Sequence, residues 1–153
     1  MTGPQDLGLV TLVVTGFVSC AEFGSYAFVH PVIKQLPPPY HIAVEQGLLR
    51  TFGRIMPVGM TLCLLLAILH ASIPGAAAGT PDWRWLAAVA YALALVSTVI
   101  FNVPINLATG RWDPANPPAD WRQIRNRWEV FQGLRSWLLL AGFILISIDF
   151  AFR

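Results

Sequence analysis

Glu22 is the first candidate for chemistry, because it is an acidic residue within a long apolar stretch. An ionisable group inside a membrane segment costs at least about 2.5 kcal/mol, and such residues usually have a function. Thr15, Ser19, Glu22 and Tyr26 recur at three- and four-residue steps, so a helix would place them on one face. That spacing predicts a polar stripe that turns inward, away from lipid, with Glu22 at its centre.

Amides and arginines elsewhere in the sequence could complete a site around Glu22. Asn102 and Asn106 share a helix face, and the proline between them removes a backbone donor. The two amides could contact a ligand or satisfy the carbonyl groups freed by that proline. Arg54 and Arg135 could pair with Glu22, in which case the carboxylate only locks helix packing. The alternative is a base with a nearby group that stabilises negative charge.

His30 and His41 flank the connection after the first apolar stretch, and His41 has Glu45 four residues further on. This spacing could bind a metal, but a metal site normally needs three or more ligands. Interfacial or hydrogen-bonding roles are therefore expected for both histidines, with metal ligation as the sharper alternative. Glu22 with one histidine could also anchor a metal ion or a haem iron.

The composition requires a membrane. Of the 153 residues, 56% are hydrophobic and 12% are charged, against roughly 25% charged residues in an average soluble domain. A soluble chain of this size could not bury so much apolar surface. The net charge of +2 does not favour nucleic acid as a partner, whereas membrane lipid is an expected one.

Four apolar segments predict an all-α membrane protein, a four-helix antiparallel bundle forming a single domain over residues 1–153. Each segment has the roughly 20 residues needed to cross a bilayer. The stretch from Tyr40 to Arg54 predicts a short interfacial helix in the first connection, and 110–132 is expected to be a polar loop. The four predicted spans are 7–29, 55–73, 85–107 and 134–152.

The distribution of positive charge predicts the orientation. The connections after the first and third segments hold eight of the ten Lys and Arg residues, and the other side holds only Arg84 and Arg153. By the positive-inside rule, both termini are exoplasmic and the long loops are cytoplasmic, in an integral protein of a bacterial inner membrane. Gly16, Cys20 and Gly24 would permit close helix approach, within the bundle or in a homo-oligomer.

Several of these features occur together in a known membrane family. The order and spacing of Glu22, His30, the Asn102–Asn106 segment, Trp121 to Trp128 and Arg135 resemble the DUF1772 or anthrone oxygenase-like family over nearly the whole chain. The resemblance implies oxidation of an anthrone, a reduced tricyclic aromatic ketone, by oxygen. In this sequence Gln132 stands where the family pattern has Asn or His.

Residue chemistry and resemblance together predict an oxidoreductase or oxygenase that acts on a small aromatic substrate, anthrone-like or quinol-like. Its pocket should open to the cytoplasmic side. Haem, a single metal ion and cofactor-free oxidation all remain open, as does a non-catalytic four-helix module that binds lipid or supports a partner protein. The expected catalytic residues are Glu22, Asn102 and Arg135, the expected substrate contacts are Tyr26, Asn106, Trp128 and Arg54, and the candidate metal ligands are His30 and His41.

Overall fold

The computed structural model describes residues 4–74 and 82–152, and these residues form helices joined by short connections, with no strand among them. Two of the helices each contain one π-helical turn, which widens the backbone spiral for a few residues. The helices are α1 (4–33, with its π turn at Ser25–Val29), α2 (Pro38–Arg50), α3 (Phe52–Ala71), α4 (Trp83–Thr109, with its π turn at Thr98–Asn102) and α5 (Trp121–Ala151).

Four of these helices are long and apolar enough to cross a membrane, which confirms the predicted all-α membrane fold. They are α1, α3, α4 and α5. Large apolar side chains on their outer faces stay exposed, among them Phe17, Val58 and Trp137. Soluble monomers rarely expose apolar surface on this scale. The chain is therefore an integral membrane protein.

The four spans pack in a closed order, in which α1 contacts α3 and α5, and α4 contacts the same two helices. Small and flexible side chains fill the centre, so the helices can approach closely. Tyr91 is the largest fully buried side chain, and its ring lies against Gly142 of α5. The buried apolar core consists of Val18, Met56, Met60, Cys63, Ala67, Ala87, Ala88, Tyr91, Ala94, Leu139 and Ile146.

The last helix differs most from the prediction. It begins at Trp121, thirteen residues before the predicted start at 134, so the loop between α4 and α5 covers only 110–120. The early part of α5 is rich in charge, which hides it from a hydropathy profile. A helix also forms in the first connection, as Pro38–Arg50. Its location at the membrane interface and the antiparallel order of the spans stay predictions.

A polar network joins α3, α4 and α5 at the bundle end opposite Glu22. His70 is fully buried and its Nε2 lies 3.0 Å from Asp149 Oδ2. Arg84 approaches the other oxygen of Asp149 at 3.7 Å and also donates hydrogen bonds to Asp82 and to the carbonyl of Ile73. Asp82 caps the start of α4 by accepting from the Arg84 amide. The Arg84 guanidinium also donates to the Asp82 carboxylate, and this side-chain hydrogen bond holds the pKa of Asp82 below its ordinary value.

Candidate functional site

A cavity of about 460 Å³ lies at the end of the bundle where α1 finishes and α5 begins. All five helices contribute to its lining. One wall is apolar and comes from α2, α3 and α4, through Leu48, Leu49, Phe52, Met56 and Leu107. Polar lining residues come from all five helices, and those of α1 and α5 include Glu22, Gln132 and Arg135. This size and mixed character are typical of small-molecule binding sites.

Glu22 forms the polar floor together with two residues of α5. Its Oε2 accepts a hydrogen bond from Gln132 Nε2 at 3.0 Å and from Arg135 Nη2 at 2.9 Å. Arg135 also donates to Gln132 Oε1, so the three side chains form one network. The other carboxylate oxygen, Oε1, is buried and has no hydrogen-bond partner. Glu22 lines the cavity, and Oε1 is the carboxylate oxygen that its partners on α5 leave unengaged.

The predicted polar stripe of α1 places Glu22 in the bundle interior and leaves its carboxylate to partners on α5. Thr11, Thr15, Ser19 and Glu22 are all fully buried. The hydroxyl of Thr15 donates to the Thr11 carbonyl at 2.7 Å, and Thr11 donates to Leu7 at 2.8 Å. The hydroxyls of Thr11 and Thr15 therefore find their hydrogen-bond acceptors on α1 itself. The π turn Ser25–Val29 begins three residues after Glu22 and shifts the helix register before His30.

The two predicted asparagines have different positions. Asn102 is fully buried at the end of the second π turn, and its Nδ2 donates to the Trp128 carbonyl at 3.2 Å. It lies outside the cavity lining and joins α4 to α5. Asn106, one turn further along α4, does line the cavity, and its Oδ1 is buried without a partner. Of the two amides, Asn106 is placed to contact a ligand.

A second polar cluster lies next to the Glu22 network and combines α1, α2 and α5. His30 Nδ1 is 3.5 Å from Glu45 Oε1 and 3.3 Å from Glu129 Oε1. Arg125 Nη2 lies 2.7 Å from Glu45 Oε1, and Lys34 Nζ lies 3.0 Å from Glu129 Oε2. Burial raises the pKa of Glu45, but the neighbouring His30 and Arg125 outweigh burial and hold it below its ordinary value. Glu45 is therefore a carboxylate at neutral pH.

Trp128 lies between the two clusters. Its ring centroid is 4.9 Å from that of His30, and the Arg125 guanidinium lies 4.1 Å from its ring. The guanidinium position is a cation–π contact. Trp128 lines the cavity, and its Nε1 is buried without a hydrogen-bond partner. This indole is thus a spare donor on the cavity wall.

His41 belongs to the second cluster but lies outside the cavity lining. Its ring packs against Trp121 at 5.0 Å, and its Nε2 is 3.8 Å from Glu45 Oε1. Burial and the charge of Arg125 lower the pKa of His41 more than the charge of Glu45 raises it. His41 is therefore neutral at pH 7, the protonation state in which imidazole binds metals.

The remaining predicted residues lie at the edges of the site. Arg54 lines the cavity from α3 with its side chain exposed, and it does not pair with Glu22. Tyr26 is not part of the lining, since its ring packs over Gly133 of α5. Arg135 is therefore the arginine that pairs with Glu22, and Arg54 is free to meet a ligand at the rim.

Four residues around the cavity were not among the predicted site residues: Glu45, Arg125, Glu129 and Gln132. Glu45 was considered only as a neighbour of His41. The other three lie in or at the end of the predicted loop, yet Arg125, Glu129, Gln132 and Ser136 are buried on one face of α5. Their spacing of three to four residues was the available signal, because it is the period of a helix.

Within the described ranges, the side chains that could hold a metal ion are His30, Glu45 and Glu129, whose nearest ligand atoms all lie within 4.8 Å of one another. Glu22 is not part of this group. The structure thus contains two separate polar groups, the Glu22 carboxylate with its partners on α5 and the His30/Glu45/Glu129 cluster.

Comparison with known proteins identifies one family. A family model described as anthrone oxygenase matches residues 48–145. The match covers α3, α4 and most of α5, while α1 with Glu22 precedes it. No curated protein and no solved structure matches the chain significantly.

Proposed function

The chain belongs to the anthrone oxygenase family, and from this premise we propose that it is a membrane oxidoreductase that uses molecular oxygen. Its substrate is a small apolar aromatic compound, anthrone-like or quinol-like, which binds in the cavity above Glu22. The cavity volume of about 460 Å³ and its apolar wall support a tricyclic substrate of this kind.

The free oxygen of Glu22 is the observation that carries the proposal. Oε2 is held by Gln132 and Arg135, so the carboxylate cannot rotate freely, while Oε1 is left without a partner at the cavity floor. A fixed carboxylate with one free oxygen is suited to remove a proton from an acidic C–H bond. The Arg135 charge compensates the carboxylate inside the membrane.

The proposed reaction converts a ring CH₂ group into a carbonyl. Glu22 takes one proton from the CH₂ carbon of the anthrone, and the electron pair moves to the existing carbonyl oxygen as an enolate. The enolate carbon then forms a bond to O₂, which gives a hydroperoxide after protonation. Loss of water from that hydroperoxide breaks the O–O bond. The substrate loses four electrons, one oxygen atom enters the product and the other leaves as water.

Three donors are placed to stabilise the enolate oxygen. Arg135 Nε and Trp128 Nε1 are buried without hydrogen-bond partners, and both residues line the cavity. The Asn106 amide lines the same cavity from α4. Donors fixed in advance around a developing oxyanion lower the barrier without reorganisation.

The cavity is proposed to open toward the cytoplasm, with both termini exoplasmic, in a bacterial inner membrane. The positive-inside distribution of Lys and Arg supports this orientation. An apolar substrate would then enter from the cytoplasmic leaflet, whose lipids surround the exposed apolar faces of the spans. The enzyme is proposed to work in contact with lipid, and a homo-oligomer is compatible with this arrangement.

The test is oxidation of anthrone by the detergent-purified full-length chain, followed by product absorbance and oxygen consumption after subtraction of the uncatalysed rate. Glu22→Gln keeps the shape of the side chain and removes the base, so kcat should fall at least about 100-fold. Cys20→Ser changes an exposed residue of the same helix and should leave turnover unchanged. Full turnover by a folded Glu22→Gln protein would remove Glu22 as the base, and an inactive wild type would favour a non-catalytic module.

A further inference from the structure

The cluster beside the cavity brings three ligand-type atoms, from three different helices, within 4.8 Å of one another. His30 of α1, Glu45 of α2 and Glu129 of α5 are all buried. The His30 Nδ1 atom faces one oxygen of each carboxylate, at 3.5 Å and 3.3 Å. We propose that these three side chains bind one divalent first-row transition-metal ion.

The distances from His30 Nδ1 to the two carboxylates suit a shared metal ion better than direct hydrogen bonds. His30 Nδ1 and Glu45 Oε1 are buried, and neither makes a hydrogen bond of acceptable geometry. Ligand atoms about 2.1 Å from a metal lie roughly 3.0 Å apart in an octahedron and roughly 3.4 Å apart in a tetrahedron. The two observed distances from His30 agree with this spacing.

Lys34 and Arg125 orient the two carboxylates. Lys34 contacts Glu129 through Oε2 and leaves Oε1 toward His30. Arg125 contacts Glu45 Oε1 itself, as an outer partner can when a ligand oxygen has two lone pairs. With a neutral His30 these four charges cancel, so a divalent ion would add two positive charges. The site should therefore favour an anion at the open metal positions.

The donor set selects the kind of ion. His41 is 4% exposed, its ring nitrogens make no satisfactory hydrogen bond, and Nε2 is 3.8 Å from Glu45 Oε1. It is a neighbouring candidate for a second imidazole ligand. Imidazole with carboxylate suits iron, cobalt, zinc and nickel, whereas magnesium and calcium prefer oxygen ligands alone.

The ion would be reachable from the cavity, because His30 and Glu45 both belong to its lining. A molecule held above Glu22 would thus lie next to the metal. Metal binding itself is independent of the proposed oxidation, whereas any use of the ion in that oxidation rests on the proposed function.

The test is metal binding by the full-length protein in detergent. The protein is stripped with chelator and titrated with Co(II), and with Fe(II) without oxygen. Bound metal is measured by mass spectrometry, and Co(II) coordination by visible absorption. The wild type should bind about one ion per chain with new Co(II) bands. His30→Gln and Glu45→Gln should each weaken binding at least tenfold.

Two controls separate this proposal from others. His70→Gln changes a buried histidine at the opposite end of the bundle and should bind Co(II) as the wild type does. Glu22→Gln should also retain the ion while losing oxidation, so the two proposals fail independently. Less than 0.1 ion per wild-type chain, or unchanged binding in a folded His30→Gln/Glu45→Gln double variant, would overturn the metal site and leave the cluster as a network of ion pairs.

Discussion

At the residue scale, the most demanding feature is a carboxylate with no solvent exposure. Glu22 is fully buried, and its charge is compensated by Arg135 from α5. A buried ion pair of this kind adds little net stability compared with apolar packing, but the loss of one partner leaves an isolated charge. Replacement of either Glu22 or Arg135 alone is therefore expected to destabilise the protein.

Arg135→Met tests this dependence, because it keeps an unbranched flexible stem and removes the guanidinium charge. The variant should lose about 3–5 kcal/mol of stability, since Glu22 is left buried and unpaired. The double variant Arg135→Met/Glu22→Gln should recover most of that loss. Thermal unfolding in detergent measures both. A double variant no more stable than Arg135→Met would show that the destabilisation comes from lost packing instead.

Single residues also show how much of the candidate site could be predicted from the sequence. Glu22 was predictable because an acidic residue inside an apolar stretch is conspicuous, and the pairing with Arg135 was one of two open choices. Gln132 was in doubt because its side chain differs from the family pattern. The structure shows that its amide nitrogen reaches Glu22 Oε2, a contact between residues 110 positions apart. Sequence spacing cannot supply such a distance.

At the element scale, α5 explains why three of the four unpredicted residues were missed. Hydropathy finds the part of a helix that lies in lipid, and it stops where charged residues begin. Helix formation does not stop there, because Trp121, Arg125 and Trp128 repeat the helical period and are buried. The four spans were predicted well from apolar length, whereas the charged first turns of α5 and both π turns required three-dimensional packing.

Close packing of α4 on α5 gives an element-scale prediction. A Cβ atom at Gly142 would lie 2.8 Å from Tyr91 Cζ, inside a fully buried contact. Gly142→Ala should therefore destabilise the bundle by about 1–3 kcal/mol. Gly24→Ala is the matched control, because nothing lies within 4 Å of its Cβ position. Thermal unfolding of both variants decides the point, and equal stability would mean that Tyr91 moves aside at no cost.

At the scale of the whole molecule, charge asymmetry predicts how the bundle sits in the membrane. Ala115 is exposed in the α4–α5 loop, and Ser72 is exposed just after α3. In a background with Cys20→Ser and Cys63→Ala, Ala115→Cys should react with an impermeant maleimide only after spheroplasts are permeabilised. Ser72→Cys should react in intact spheroplasts. Labelling of Ala115→Cys in intact spheroplasts would reverse the proposed orientation.

Different helices contribute the floor and the apolar wall of the cavity. The residues proposed to react are therefore separate from those proposed to contact the substrate. The floor comes from Glu22 and Arg135 on α1 and α5, whereas the apolar wall comes from Leu48, Phe52 and Leu107 on α2, α3 and α4. Changes to the wall need not disturb the ion pair below it. Under the proposed function, substitutions in the wall would therefore change the range of aromatic compounds accepted and leave the Glu22–Arg135 pair in place.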